Sequence, residues 1–446
     1  MKDGKDLTEG NLFSNMVRFC FPLLIANLLN SIYNIVDGIW VGHLLGTDGL
    51  SAITNCWPIM LGAYSTLAGV TVTTTIMVSH CFTSDNREKI KDIITPLYVI
   101  STIIGIATTI MLIFTENFWF KLFNTPHEVF QGAKNYATVY LIGFIFNFIG
   151  SCFLSGIRAI GDSKTPLKIL AITEILNIIL DPFFIKLGYG VKGAAIATAL
   201  SMILCFLLGF IYIMKNQFLK FDTKYLIIKK DFLKRFAILS LPIVVQELAT
   251  VFTFVLEVNL SNSLGVQGGS TYGIVTRFQE VVWVLGHTIN ELITVVVGQF
   301  IGKNEYNRIN DVMKNGLKLI IIPTIIIVSV IIWGSSLFAR IFTNNSEVIS
   351  LTVEYLHIVG IGYATIPLYQ LLYGMVLGVG NTRYTFINNI ISIITEIVIV
   401  LNLNKATGRV FFSLGIGISS WYIVGIIMFS IYYFSNCWNK ENKLYM

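Results

Sequence analysis

Apolar residues in this chain of 446 residues gather in long runs, without the strict alternation of half-buried strands or the narrow stripe of a surface helix. Twelve runs can be drawn, near 13–42, 50–80, 91–115, 130–157, 166–186, 192–214, 233–262, 269–300, 311–338, 348–378, 384–403 and 410–437. Each supplies the roughly 20 residues that a bilayer-spanning helix needs. Several are longer, so tilt or extension past the membrane surface is expected. The pattern predicts an all-α integral membrane protein of twelve transmembrane helices. The first run is nearly thirty residues long from about Phe13 and lacks a small-residue cleavage site, so it reads as a span and not as a secretory signal.

Composition agrees. Only 13% of residues are charged and 54% are apolar, with a mean hydropathy of +0.73. A soluble domain carries roughly 25% charged residues. An aromatic content of 13% excludes disorder. Cys20, Cys56, Cys81, Cys152, Cys205 and Cys437 lie far apart, mostly in apolar runs, with no CxxC or metal-ligand spacing. The net charge of +6 does not point to nucleic acid, because the basic residues sit in short connectors and form no continuous patch. With the N-terminus inside, 23 of the 31 Lys and Arg residues fall on the cytosolic side and 7 outside, and only Arg277 lies within a span. That bias predicts two cytosolic termini.

The chain also repeats at an offset of 219–220 residues. Cys20-Phe21-Pro22 answers Ser240-Leu241-Pro242, Leu45-Gly46 answers Leu264-Gly265, and Gly161-Asp162-Ser163 answers Gly380-Asn381-Thr382. A constant offset over such distances indicates duplication of a six-helix unit. Six is even, so both halves share one orientation and a symmetry axis along the membrane normal is expected. The expected organisation is an N-terminal bundle over 1–214, a basic cytosolic linker over 215–232 and a C-terminal bundle over 233–446. The linker can also lie against anionic headgroups.

Candidate chemistry lies in the ionisable residues within spans. Asp37, Glu174, Asp181, Glu247, Glu257, Glu280, Glu291 and Glu396 are eight such carboxylates. Facing lipid they would together cost on the order of 20 kcal/mol, so a wet cavity or mutual contact is expected. Asn27, Asn30, Asn34 and Asp37 recur at 3, 4, 3 residues, one stripe of a helix, with Tyr33 one turn before Asp37. Glu174, Asn177 and Asp181 share a face in the fifth run, and the sixth offers Thr198 within Gly193-Ala194-Ala195-Ile196-Ala197-Thr198. Carboxylates, an amide carbonyl and hydroxyls are hard oxygen ligands that suit a proton or a small alkali cation. The alternative is that these groups only bridge helices.

In the second half, Arg277 and Glu280 at i, i+3 are placed to neutralise each other. His287 and Glu291 resemble a metal pair only weakly, with no HExxH and no third ligand. Pro22 to Asp37 and Pro242 to Glu257 are both fifteen residues, so Glu257 is the repeat counterpart of Asp37. No phosphate loop or nucleophile elbow is present, so ATP-driven pumping is not expected and no enzyme is read.

Twelve spans in two halves, with Pro22, Asp37-Gly38, Val41-Gly42, Leu45-Gly46, Asn177-x-x-x-Asp181 and Gly193-Ala194-Ala195-x-Ala197-Thr198, resemble the multidrug and toxic compound extrusion (MATE) transporters, particularly the DinF-like branch. The resemblance implies two bundles around a cavity that opens alternately to either side, expelling organic cations against protons or sodium. It implies a coupling-cation site at Tyr33, Asp37, Asn177, Asp181 and Thr198, with Na+ between Asp37 and Asp181 as one occupant. In the second half Asn177 maps onto Glu396 and Asp181 onto Val400. The acids there are therefore expected to serve substrate binding, through Glu247, Glu257, Glu280, Glu291 and Glu396, with Asn30 and Asn34 from the first half. The expected protein is a monomeric multidrug antiporter of the plasma membrane, a bacterial inner membrane, taking small amphiphilic cations. It needs no cofactor beyond the coupling ion. A lipid-linked saccharide flippase is the alternative, but it would need a cavity rich in Arg and Lys.

Overall fold

A computed structural model describes residues 4–83, 89–122 and 125–435. Among them are twelve long helices and no strand. They are α1 (Leu12–Gly46), α2 (Ser51–Phe82), α3 (Lys89–Leu122), α4 (His127–Ala159), α5 (Lys164–Phe184) and α6 (Val191–Lys215), followed by α7 (Lys230–Asn262), α8 (Gly265–Gly302), α9 (Tyr306–Phe342), α10 (Ser346–Val379), α11 (Thr382–Thr407) and α12 (Val410–Phe434). Eleven of them are long and apolar enough to cross a membrane. The exception is α5, whose 21 residues hold Lys168, Glu174 and Asp181. A helix this polar lowers its cost in a bilayer by turning those groups inward, and Asn177 and Asp181 are indeed buried. On α9 the opposite holds: Ile321, Ile322, Ile325 and Ile326 are all exposed, as a lipid-facing row should be.

The chain forms two compact units. The first comprises residues 4–10, Arg18–Val244 and Gly302–Asn304, and the second Asn11–Val17, Val245–Ile301 and residues 305–435. Each repeats the other's local devices. In the first unit Gly143 on α4 lets the α6 backbone approach so closely that a Cβ would stand 2.7 Å from the Ala199 Cα. In the second, Gly362 on α10 meets α12 likewise, 2.8 Å from the Ser419 Cα. Small residues are what allow helices to pack at this distance in a membrane.

The helix entries also correspond. Asp162 caps α5, accepting from the backbone N–H groups of Lys164 and Thr165 at 3.0 Å each and from the Tyr212 hydroxyl at 2.9 Å. Asn381 caps α11, accepting from the Tyr384 N–H at 3.0 Å and donating to the Tyr432 hydroxyl at 3.3 Å. Such caps satisfy N–H groups that a helix start leaves unpaired. The basic connector between α6 and α7 is not free of the first unit. Leu219 is fully buried, its carbonyl accepts from the Tyr98 hydroxyl at 3.2 Å, and the Asp222 N–H donates to Thr95 Oγ1 at 3.3 Å.

Candidate functional site

In the first unit, the polar stripe of α1 meets the polar faces of α5 and α6. The meeting depends on the α6 glycine. A Cβ on Gly193 would stand 2.9 Å from the Phe184 backbone, so only glycine lets α6 come this close to the end of α5. Thr198, five residues further along α6, is thereby brought against Asn177, with the amide nitrogen and the hydroxyl 3.3 Å apart. The Asn177 amide turned to satisfy both neighbours donates to Asp181 Oδ2 at 3.1 Å and presents its oxygen to Thr198. Asp181 is wholly buried and its carboxyl faces that of Asp37.

Tyr33, one turn before Asp37, lies beside Thr198. The five expected residues of the first half are therefore contiguous. Asp37 Oδ1 and Asp181 Oδ1 are both buried without a hydrogen-bond partner. Facing carboxyls can hydrogen-bond to each other only when one carries a proton, because ionised carboxylates only accept. The arrangement can thus hold one proton between two acids, or one small cation among four or five oxygens.

One neighbour of this site was absent from the expected set. Tyr136 on α4 is buried and interacts electrostatically with Asp37, Asp181 and Tyr33. Beside the site, the Asn30 amide donates to Glu174 Oε1 at 3.1 Å, and the Asn34 amide is spent on its own helix, donating to the Asn30 carbonyl at 2.8 Å. Asn30 therefore joins the α5 carboxylate. Glu116, near the end of α3, also escaped the sequence reading, because the helix runs beyond residue 115, the expected limit of its span. It is buried against Lys134 at 3.6 Å and accepts from the Thr138 hydroxyl at 3.1 Å.

The acids of the second unit are scattered by comparison. Glu280 is exposed and paired with Arg277 at 3.3 Å. Glu247 lies on the exposed face of α7, where Gln246 next to it donates to the Tyr373 hydroxyl. Glu291 is half-buried on α8. Glu257 and Glu396 do meet: their carboxyls face one another, and the Tyr272 hydroxyl donates to Glu257 Oε2 at 2.7 Å. Among the described residues no cluster of three or more His, Cys, Asp and Glu side chains has metal-binding geometry.

Two repeated units of span-length apolar helices, each with buried acids, mark a polytopic membrane protein. The MatE family model matches residues 22–183 and 242–401, once in each half. The chain belongs to the MatE family. It is 27% identical over 399 residues to the probable multidrug resistance protein YpnP of Bacillus subtilis, covering 87% of each chain. It is 25% identical over 349 residues to the probable multidrug resistance protein YoeA of the same organism, covering 76% of this chain and 75% of that one. Among solved structures, a MOP superfamily transporter from Pyrococcus furiosus superposes with a TM-score of 0.89 at 21% identity, covering 97% of this chain and 98% of that one. A MATE structure in the straight conformation gives the same TM-score at 22% identity, with 97% and 98% covered. The expected fold class and the MATE family are both met.

Proposed function

We propose that this chain is a multidrug exporter that expels small amphiphilic cations in exchange for protons or sodium. The carrying observation is the buried, facing Asp37–Asp181 pair with Asn177, Thr198 and Tyr33 around it. The multidrug resistance names of its relatives YpnP and YoeA support the same reading. Substrate and coupling cation compete for negative charge, so each is bound best in the state the other leaves, and that differential affinity is the coupling. Losing the shared proton leaves two buried carboxylates facing each other, which favours either repacking of α1 or entry of an organic cation.

Substrate recognition falls to exposed acid and aromatic surface. Glu247, exposed on α7, and Glu174 with Asn30 are the groups placed to meet a cation. Aromatic faces add cation–π attraction. The chain is proposed to act as a monomer in a bacterial inner membrane with both termini in the cytosol. Ethidium efflux from proteoliposomes under independently imposed pH and sodium gradients tests the reading. Export is expected under one of the two gradients, and efflux indifferent to both sinks antiport.

A further inference from the structure

The second unit lacks the residues that build the first site. At the repeat offset Asn177, Asp181 and Thr198 become Glu396, Val400 and Gly417. Val400 fills the room that Gly417 vacates: a Cβ on Gly417 would stand 2.2 Å from Val400 Cγ2. On residue identity alone the cation chemistry has gone. The placement says otherwise, because Glu257 stands where Asp37 does, faces Glu396 and accepts from the Tyr272 hydroxyl at 2.7 Å.

Length explains the contact. Glu396 replaces Asn177, one turn or about 6 Å along the helix from the position of Asp181. Glu257 and Glu396 are each one methylene longer than aspartate. The extra reach lets the pair close from the earlier turn, and α11 needs no acid at position 400.

Two further features mark this as more than a pair of bridging acids. Tyr355 is fully buried, interacts electrostatically with both glutamates, and has a hydroxyl without a hydrogen-bond partner. Glu396, only 3% exposed, has Oε1 likewise unpartnered. Buried polar atoms are ordinarily satisfied, and exceptions gather where a ligand or proton is exchanged. Tyr355 also occupies the offset position of Tyr136, the buried tyrosine beside the first site. The titratable groups that face the pair are Tyr272 from α8, Tyr355 and Tyr363 from α10, and Tyr422 from α12.

We propose that Glu257 and Glu396, lined by the Tyr272 and Tyr355 hydroxyls, form a second acceptor for a coupling proton. Loading places one proton on the pair, so that one carboxylic acid donates to the other carboxylate. Release returns that proton to water and leaves two carboxylates. The transporter then carries one more proton per cycle than the first site alone provides. The proposal rests on the antiport reading for the word coupling, but the existence of the shared proton does not.

Infrared difference spectroscopy of the purified full chain across a pH titration detects protonated carboxyls directly. Glu257→Gln and Glu396→Gln should each remove the same carboxyl band, while Asp37→Asn leaves it in place. A band that survives both glutamine variants overturns the shared proton. Should those variants not fold, Tyr272→Phe and Tyr355→Phe remove only a hydroxyl from the pair's surroundings. Each is expected to displace the band, and an undisplaced band in both overturns the site. In proteoliposomes, Glu396→Gln should lower the number of protons moved per ethidium by one. An unchanged ratio overturns the coupling role. Failure of antiport itself looks different, since no gradient would then move ethidium in the parent protein.

Discussion

The two units solve one problem with different residues. In the first, Asp37 faces an aspartate on α5, and Asn177 and Thr198 steady that partner. In the second, Glu257 faces a glutamate one turn earlier on the corresponding helix, with a tyrosine hydroxyl as the steadying donor. Tyr272 has no such counterpart, since its offset position is Ile53. What both units keep is an acid pair beside a buried tyrosine. What they do not keep is the turn from which the second acid reaches. After duplication, position and chemistry can drift apart provided the two carboxyls still meet.

The strongest way to break the comparison is Asp37→Asn. It leaves side-chain size nearly unchanged and removes the acid common to both readings of the first site. Ethidium efflux should fall to background while the protein still inserts and purifies as a monodisperse species. Wild-type efflux from a well-folded Asp37→Asn protein would mean that the first site does not couple transport. Glu257→Asp is the sharper companion. Shortened by a methylene, it should lose its contact with Glu396, and its carboxyl infrared band should change as in Glu257→Gln.

Next in size is an attempt to restore the first site's pattern in the second unit. Val400 is fully buried, and Val400→Asp places an acid in packed apolar surroundings. A lone buried charge typically costs about 3–5 kcal/mol when nothing pairs with it. Thermal unfolding in detergent should show a large loss, partly recovered by combining Val400→Asp with Gly417→Thr, which supplies the hydroxyl found in the first unit. If Val400→Asp alone is as stable as the parent, the packing around α11 and α12 is looser than described. The smaller change Gly417→Ala should cost about 1–3 kcal/mol by overpacking against Val400.

Much of this was legible in the sequence. Apolar run length gave the spans, because the bilayer sets a length that few other structures require. The stripe Asn27, Asn30, Asn34, Asp37 and the i, i+3, i+7 face of Glu174, Asn177 and Asp181 identified the helix faces that meet. The repeat offset located Glu257 and Glu396, but aligning them position by position hid their pairing. Register arguments assume equal side-chain reach, and glutamate for aspartate breaks that assumption. Tyr272 left no signal, and Tyr136 and Tyr355 only their match at the repeat offset. Tyrosine is common in apolar helices, and only packing shows which hydroxyls point at an acid. Glu116 was missed for a simpler reason, since the span was drawn one residue short of it.

The smallest expected effect separates the units near the N-terminus. Lys303 Nζ lies 2.7 Å from Asp6 Oδ2, and Asp6 Oδ1 accepts from the Thr8 N–H at 2.9 Å, which pins residues 4–10 within the first unit. The offset positions of Asp6 and Lys303 are Leu226 and Thr83, so the repeat carries no equivalent pair. Burial pushes the Asp6 carboxyl up, but the hydrogen bonds from Lys303 and Thr8, with the Lys303 charge, outweigh it and hold Asp6 below its ordinary value. A group whose value is depressed by folding contributes stability above its unfolded value, and that contribution is lost as pH falls through the folded one. The Asp6→Asn variant should therefore be less stable than the parent by about 1 kcal/mol at neutral pH, in keeping with a partly screened ion pair. The difference should shrink below about pH 4, where an ordinary aspartate begins to protonate. Paired thermal unfolding curves of parent and variant from neutral to acid pH isolate this term from the other carboxylates. A difference that stays constant across that range would show that the Asp6 charge contributes nothing to the pin.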